Sequence, residues 1–314
     1  LLWSFVLWSV AATVVGICQF FGWAIATTDP AVGHRQSSFL SDSDFAALSG
    51  AALLIGVVAL TLPRLELGRP LAKTAAATGA IGLVIAGSMA SAIGLVTALG
   101  TLAAALTLGR RLPLHRLGAV AALGLVVFAG TVAIRGSDLE AFARFLGAST
   151  ASQTPKTHVQ TYSHRTLLSW MGYRIWRDHP LLGVGWQGSA DPAVFVPYLP
   201  AMHARFPDEA PLEFPAAAPG RHYGVQDSWI EALTDLGVPG FLLWVATFAA
   251  AAWLALRGTL RTSAAAPVLG LVGTALLVWL WAAQGFVAGI PLDALTFVVF
   301  GLAAIREPAP EAAA

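Results

Sequence analysis

Long runs of apolar residues, more than any motif, limit what this chain can fold into. Residues 237–256, "GVPGFLLWVATFAAAAWLAL", hold no charged side chain, and about 20 such residues suffice to cross a bilayer. Several comparable blocks follow one another along the 314 residues. The chain is 57% hydrophobic and only 11% charged, with a mean hydropathy of +0.71, whereas a soluble domain carries about 25% charged residues. These properties predict an all-α, polytopic helical membrane protein with about eight spans, at 2–26, 45–63, 74–90, 92–108, 117–134, 237–256, 267–287 and 290–305. Between the fifth and sixth lies a long extracytoplasmic loop carrying short interfacial helices. The expected organisation is a five-span bundle (1–135), a functional loop (136–236), and a three-span bundle with a short tail (237–314).

Charge sets the expected orientation. Arg64, Arg69, Lys73, Arg110, Arg111, Arg116, Arg257, Arg261 and Arg306 fall on one side of the alternating spans, with only Glu66, Glu307 and Glu311 beside them. Short loops rich in Lys and Arg stay cytoplasmic, so the segment from about 136 to 228 is expected to face outward. Leu1 is then at the cytoplasmic face. The chain has no initiating methionine and is expected to begin inside a longer protein. Its single cysteine, Cys18, lies within an apolar block, which leaves no cysteine framework for a disulfide or a metal.

Ion-coupled transporters keep ionisable side chains at mid-bilayer, where such groups carry the transported charge. The expected spans hold almost none, Gln19 and Gln284 being the main polar exceptions. The chemistry is concentrated in the outer segment instead, which holds five of the seven histidines. Long loops of this kind are usually functional.

Within that segment, "HPLLGVGWQG" spaces Gly183, Gly185 and Gly188 as G-x-G-x-x-G. A dinucleotide fold needs those glycines to leave a strand and enter a helix. Here a helical pattern, "HRTLLSWMGYRIWRD", precedes them, Pro180 stops it, and "SADPAVFVP" with its two prolines reads as irregular chain. The dinucleotide-binding fold is excluded on that order. The glycines either let the chain fold tightly back onto the membrane or expose backbone N–H groups as an anion nest.

On the preceding helix, Trp170, Arg174 and Arg177 suit a membrane boundary, as an anchor helix or, with Arg165, as a grip on an anionic headgroup. Ser228-x-x-Glu231 reads as a capping box, predicting a short helix from Trp229 to about Leu236, ended by Gly237 and followed by a span opening at Pro239. Its N-terminus, with Gln226 and Asp227, is a natural seat for phosphate. Glu231 and Asp235, one turn apart, read more simply as cap and solvated face. The stretch "PAMHARFPDEAPLEFPAAAPGRHYG" reads as irregular, a lid or a spacer ending in Arg221 and His222.

Three stretches resemble the O-antigen ligase and polymerase superfamily of bacterial membrane proteins. These are "RQSSFLSDSDFAAL" (35–48), where the usual asparagine is Asp44, "RTLLSWMGYRIWRDHPLLGVGWQG" (165–188), and "QDSWIEALTDLGVPGFLLWV" (226–245). The resemblance implies a glycosyltransferase of the cytoplasmic membrane that needs neither nucleotide, metal nor other cofactor, and no nucleic acid. It would move a glycan from an undecaprenyl diphosphate carrier to a glycan, lipid or protein acceptor. Arg35, Arg165, Arg174, Arg177, Arg221 and Gln226 are the implied contacts to diphosphate or glycan. The family's histidine aligns with Gln226 and an arginine often found after the third span's serine aligns with Met89, so His222, Asp227 or Glu231 is expected to act as base. The competing reading is an anion or bicarbonate-type transporter, or an inactive glycan-export partner.

Overall fold

The computed structural model describes residues 2–26, 35–62, 65, 67–108, 114–146, 161–206, 224–262, 264–286 and 290–305. Helix dominates and no strand occurs among them. Eight helices fall on the eight expected apolar blocks: α1 (Leu2–Phe20), α2 (Asp42–Thr61), α3 (Arg69–Ala86), α4 (Met89–Leu108), α5 (Leu114–Ile134), α10 (Ser228–Arg261), α11 (Ala265–Trp281) and α12 (Ile290–Ala304). Four of them, α1, α2, α4 and α10, are each long and apolar enough to cross a membrane. A fifth crossing is added if residues 118–134 and 136–143 form one broken span, while α11 and α12 are apolar but shorter. Length and composition of the described helices thus carry four or five crossings, fewer than the eight expected from hydropathy. The first expected span stops at Phe20, and the seventh stops at Trp281, which leaves Gln284 in the turn that follows.

The chain divides into two compact units: residues 1–135, 248–280 and 289–314, and residues 136–247 with 281–288. In the first unit, helices approach through small residues, as membrane helices do when van der Waals packing replaces the hydrophobic effect. A Cβ on Gly56 would meet the Ala72 carbonyl oxygen at 2.6 Å, and one on Gly79 would meet that of Ser49 at 2.6 Å. These two positions let α2 and α3 touch backbone to backbone. Gly270 does the same for α11 against α12, where a Cβ would lie 2.6 Å from the Ala303 Cα. Ser9 and Thr78 share a hydroxyl bond of 3.0 Å, tying α1 to α3.

Gln19, one of the two polar exceptions, serves structure. Its amide donates to the carbonyls of Ile25 and Ser38 and accepts from the Ser38 N–H, so a buried polar side chain is satisfied by the loop leaving α1. Ser41 caps α2 by accepting from the Asp44 N–H, and its hydroxyl donates to the Asp44 carboxylate. Asp44 therefore occupies the reciprocal position of a capping box. In the same unit Arg35 pairs with Asp42 and donates to the Ala86 carbonyl at 3.4 Å, its stem lying along Gly87.

The second unit opens with α6 (Gly136–Phe145), a helix that hydropathy alone had folded into the loop. Then come α7 (Thr161–Asp178), α8 (Pro192–Phe195), α9 (Leu199–Arg205) and the first part of α10. The stretch 189–197 and the described start of 200–224, both expected to be irregular, lie in successive short helical turns over 188–205. Their prolines open the turns instead of interrupting them: Asp191 caps Pro192 at the first helical position, accepting from the Ala193 N–H, which is where a missing N–H costs nothing. Leu167, Leu168, Met171 and Ile175 of α7 bury against Phe195 and Met202 to make this unit's core.

Candidate active site

The site is built on two helices of the second unit that cross at a glycine. A Cβ on Gly172 of α7 would lie 2.7 Å from a Val225 methyl, 2.9 Å from an Ile230 methyl and 3.0 Å from the Thr234 hydroxyl. Thr234 donates back to the Gly172 carbonyl at 3.0 Å. This close crossing fixes the opening segment of α10, residues 228–236, along α7.

Gly237 breaks α10 with φ 66° and ψ −168°, as its position before Pro239 predicts. Residues 228–236 are therefore a separate short helix ahead of the apolar span. Its start differs from the expected capping box. Asp227 is the cap, accepting from the N–H groups of Trp229 and Ile230 at 3.0 and 3.4 Å. The Ser228 hydroxyl is spent on the Trp281 carbonyl at 2.8 Å, and the Glu231 carboxylate accepts from the Phe286 N–H instead of reaching back.

Asp227, Glu231 and Asp235 follow at successive turns and so share one face. That face is not solvated: Glu231 is 4% exposed and Asp235 fully buried. The reading of Glu231 and Asp235 as cap and solvated face is corrected accordingly. Burial is the leading cause at all three and drives each carboxyl upward, because an ion loses hydration there. Glu231 is raised from 4.5 to about 8, with Asp235 and Asp227 adding to the rise and the Phe286 N–H opposing it. At Asp227 the two cap hydrogen bonds and the charge of Arg165 act against burial. Asp235 is held by Ser189, whose N–H donates to it at 3.0 Å. His164 is shifted down by burial and by neighbouring Arg165, which favours a neutral imidazole.

The glycine-rich turn closes the other end of this helix. Val184 and Gly185 donate their N–H groups to the carbonyls of Thr234 and Asp235 at 3.0 and 2.8 Å, and Val238 donates to Pro180 at 3.0 Å. The turn therefore caps the C-terminus of helix 228–236 with the N–H groups of Val184 and Gly185, while the N–H groups of Gln187 and Ser189 hold the Asp235 carboxylate, so the anion that this turn's backbone meets is the protein's own. Gly183 (φ 66°) needs its glycine twice over, for its backbone angle and because a Cβ would strike the Asp235 carbonyl group and lie 2.6 Å from the Thr234 oxygen. Gly185 (φ 93°) has open space around it. Gly183→Ala is expected to lower the stability of the second unit by about 3 kcal/mol, and Gly185→Ala by roughly 1 kcal/mol. Thermal unfolding of the two variants in the same lipid environment checks this; equal losses would refute the clasp.

Of the residues singled out from sequence, Arg165, Gln226, Asp227 and Glu231 are placed in this unit, with Arg165 within electrostatic reach of Asp227. Arg174, nine positions beyond Arg165 on a straight helix, projects from the opposite face and stacks over Trp170 at 5.6 Å. Arg177 is exposed at the end of α7. Arg35 belongs to the first unit, and Arg221 and His222 lie outside the described residues. Three participants carry no sign of their role in the sequence. Phe286 and Gly285 were absorbed into the expected span 267–287, yet a Cβ at Gly285 would sit 2.9 Å from Glu231 Oε2. Ser189 was missed because a lone serine in a turn carries no signal of its partner 46 positions away.

A family model described as O-antigen ligase matches residues 74–245. The matched segment contains α7, the glycine turn and helix 228–236. No curated protein matches the chain.

Proposed function

Since this chain belongs to the O-antigen ligase family, we propose that it transfers a glycan from an undecaprenyl diphosphate carrier to the hydroxyl of a glycan, lipid or protein acceptor. The reaction belongs to surface polysaccharide biosynthesis at the outer face of the bacterial cytoplasmic membrane. In this reading all eight apolar helices cross the bilayer, and the basic loops set residues 136–236 on the extracytoplasmic side.

The observation that carries the reading is the buried Glu231, held in one geometry by the Phe286 N–H with Asp227 and Arg165 nearby. Gln226 has no proton to take or give at neutral pH, and Glu231 supplies that capacity one turn into the helix. The acceptor oxygen attacks the anomeric carbon, and its proton passes to the Glu231 carboxylate. The bond from the anomeric carbon to the phosphate oxygen breaks, and undecaprenyl diphosphate departs with the electron pair. Arg165 neutralises the charge that grows on that leaving group. A base with a pKa near the working pH combines availability with driving force, which describes a carboxyl raised to about 8.

Deleting the gene tests the reaction class. Short surface chains are the expected outcome for a polymerase, and accumulated lipid-linked glycan for a ligase. Surface glycan and carrier-linked pools both identical to the parent's would rule the proposal out.

A further inference from the structure

Against Phe286, which bonds Glu231, lies the most exposed aromatic ring among the described residues of the second unit. Trp186 is 63% exposed, yet it is not loosely held. Its indole lies parallel to the Phe286 ring, with centroids 5.1 Å apart and planes 11° from coincidence. Phe286 in turn meets Trp244 edge-on at 5.2 Å, and Trp244 meets Trp281 edge-on at 5.5 Å and Trp229 at 6.0 Å. Trp186 is thus the exposed end of a rigid aromatic stack.

The backbone holds it in place as well. Gly185 and Gln187 on either side of it adopt φ 93° and 57°, and left-handed geometry at a residue other than glycine persists only where its surroundings impose it. The Gly185 N–H is fixed to the Asp235 carbonyl and the Gly188 N–H to that of Gly185. One face of the indole rests on Phe286, and the other presents a flat, electron-rich surface.

The same Phe286 that supports the ring donates its N–H to Glu231, so a single residue joins the exposed indole to the buried carboxyl. A pyranose suits this arrangement. The C–H bonds on one face of the sugar carry partial positive charge and pack against a negative π face, while its hydroxyls point outward to polar groups such as the neighbouring Gln187 amide. A lipid surface would be met in this turn by Leu181 and Leu182, 71% and 80% exposed.

The geometry points to Trp186 as the platform of a glycan subsite, stacking a pyranose ring of the polysaccharide beside Glu231. The inference rests on the glycosyl-transfer reading above, and its test separates the two. The full chain is placed in phosphatidylethanolamine and phosphatidylglycerol nanodiscs and titrated calorimetrically with water-soluble glycan released from the host's own lipid carrier by mild acid. Trp186→Ala is expected to weaken that affinity roughly tenfold, comparable with the upper range for aromatic contacts. Trp186→Phe is expected to restore most of it, and both variants should keep the parent's unfolding temperature within a few degrees. In turnover, Trp186→Ala should raise KM for the glycan with little change in kcat.

Equal glycan affinity in parent and Trp186→Ala would overturn the subsite. So would emission lost in Trp186→Phe that proves quenchable by brominated acyl chains, which would make the ring a lipid anchor. Glu231→Gln should bind the glycan as the parent does. Full activity in that variant would remove the proposed base while leaving the platform to be judged on affinity alone.

Discussion

Glu231→Gln is expected to lower kcat for glycan transfer by about a thousandfold, within the range general-base catalysis contributes, while making the protein harder to unfold at alkaline pH. Both effects have one cause. Burial raises the Glu231 carboxyl from 4.5 to about 8, so below pH 8 most molecules hold it protonated and only the deprotonated fraction can accept the acceptor's proton. In the parent, kcat/KM should therefore rise with pH and level off above about 8. The residual activity of the glutamine variant should lack that limb. The stability effect has the opposite sign. Between the unfolded value of 4.5 and the folded value of about 8, the folded state keeps a proton that the unfolded chain releases. Stability therefore falls as pH rises through that window, in total by up to about 5 kcal/mol. Glutamine matches the protonated carboxyl in shape, can still accept from the Phe286 N–H, and has no proton to lose. Its unfolding temperature should fall less steeply over the same window and be higher than the parent's at pH 8. An active glutamine variant with the parent's pH profile would refute Glu231 as the base.

Arg165→Ala is expected to lower kcat/KM by about a hundredfold or more, as the loss of a single preorganised donor to a developing anion does elsewhere. Arg165→Lys should recover only part of this, because an ammonium keeps the charge but not the planar fork that grips two phosphate oxygens. Arg165 also acts on its neighbours, depressing His164 and restraining the rise at Asp227. Removing its charge should let His164 titrate closer to its ordinary 6.5, a shift readable by NMR of labelled histidine. Arg174→Ala is the matched comparison. Its side chain lies over Trp170 on the far face of α7, and a smaller loss of activity is expected. Similar losses for Arg165→Ala and Arg174→Ala would mean that α7 holds the carrier in some other way.

The parts of this architecture that depend on short-range pattern were legible in the sequence. The apolar blocks gave helices at eight places, Pro180 ended α7 just before it, and Gly237 with Pro239 marked the break inside α10. The parts that depend on a distant partner were not. An acidic residue at every fourth position looks the same whether water or protein covers it, so nothing local distinguished a buried Glu231 from an exposed one. What covers it is the 281–286 segment, whose Gly285 and Phe286 looked like the end of a membrane span. Ser228 was likewise read as a cap because its local pattern permits one, but the Trp281 carbonyl claims its hydroxyl and Asp227 takes the position. The short turns at 188–205 are hard to see in sequence because proline signals a helix break, whereas here it stands at helix starts.

The clasp between the glycine turn and helix 228–236 counts residues. Its three main-chain bonds, Val184 to Thr234, Gly185 to Asp235 and Val238 to Pro180, are made by atoms that every amino acid except proline supplies as donor. Apart from the glycines at 183, 185 and 188, the side chains between 180 and 188 can change without disturbing them. Inserting or removing one residue there would slide every donor off its acceptor and rotate the carboxyl face away from its cover. In this stretch of the protein, length is under tighter control than spelling.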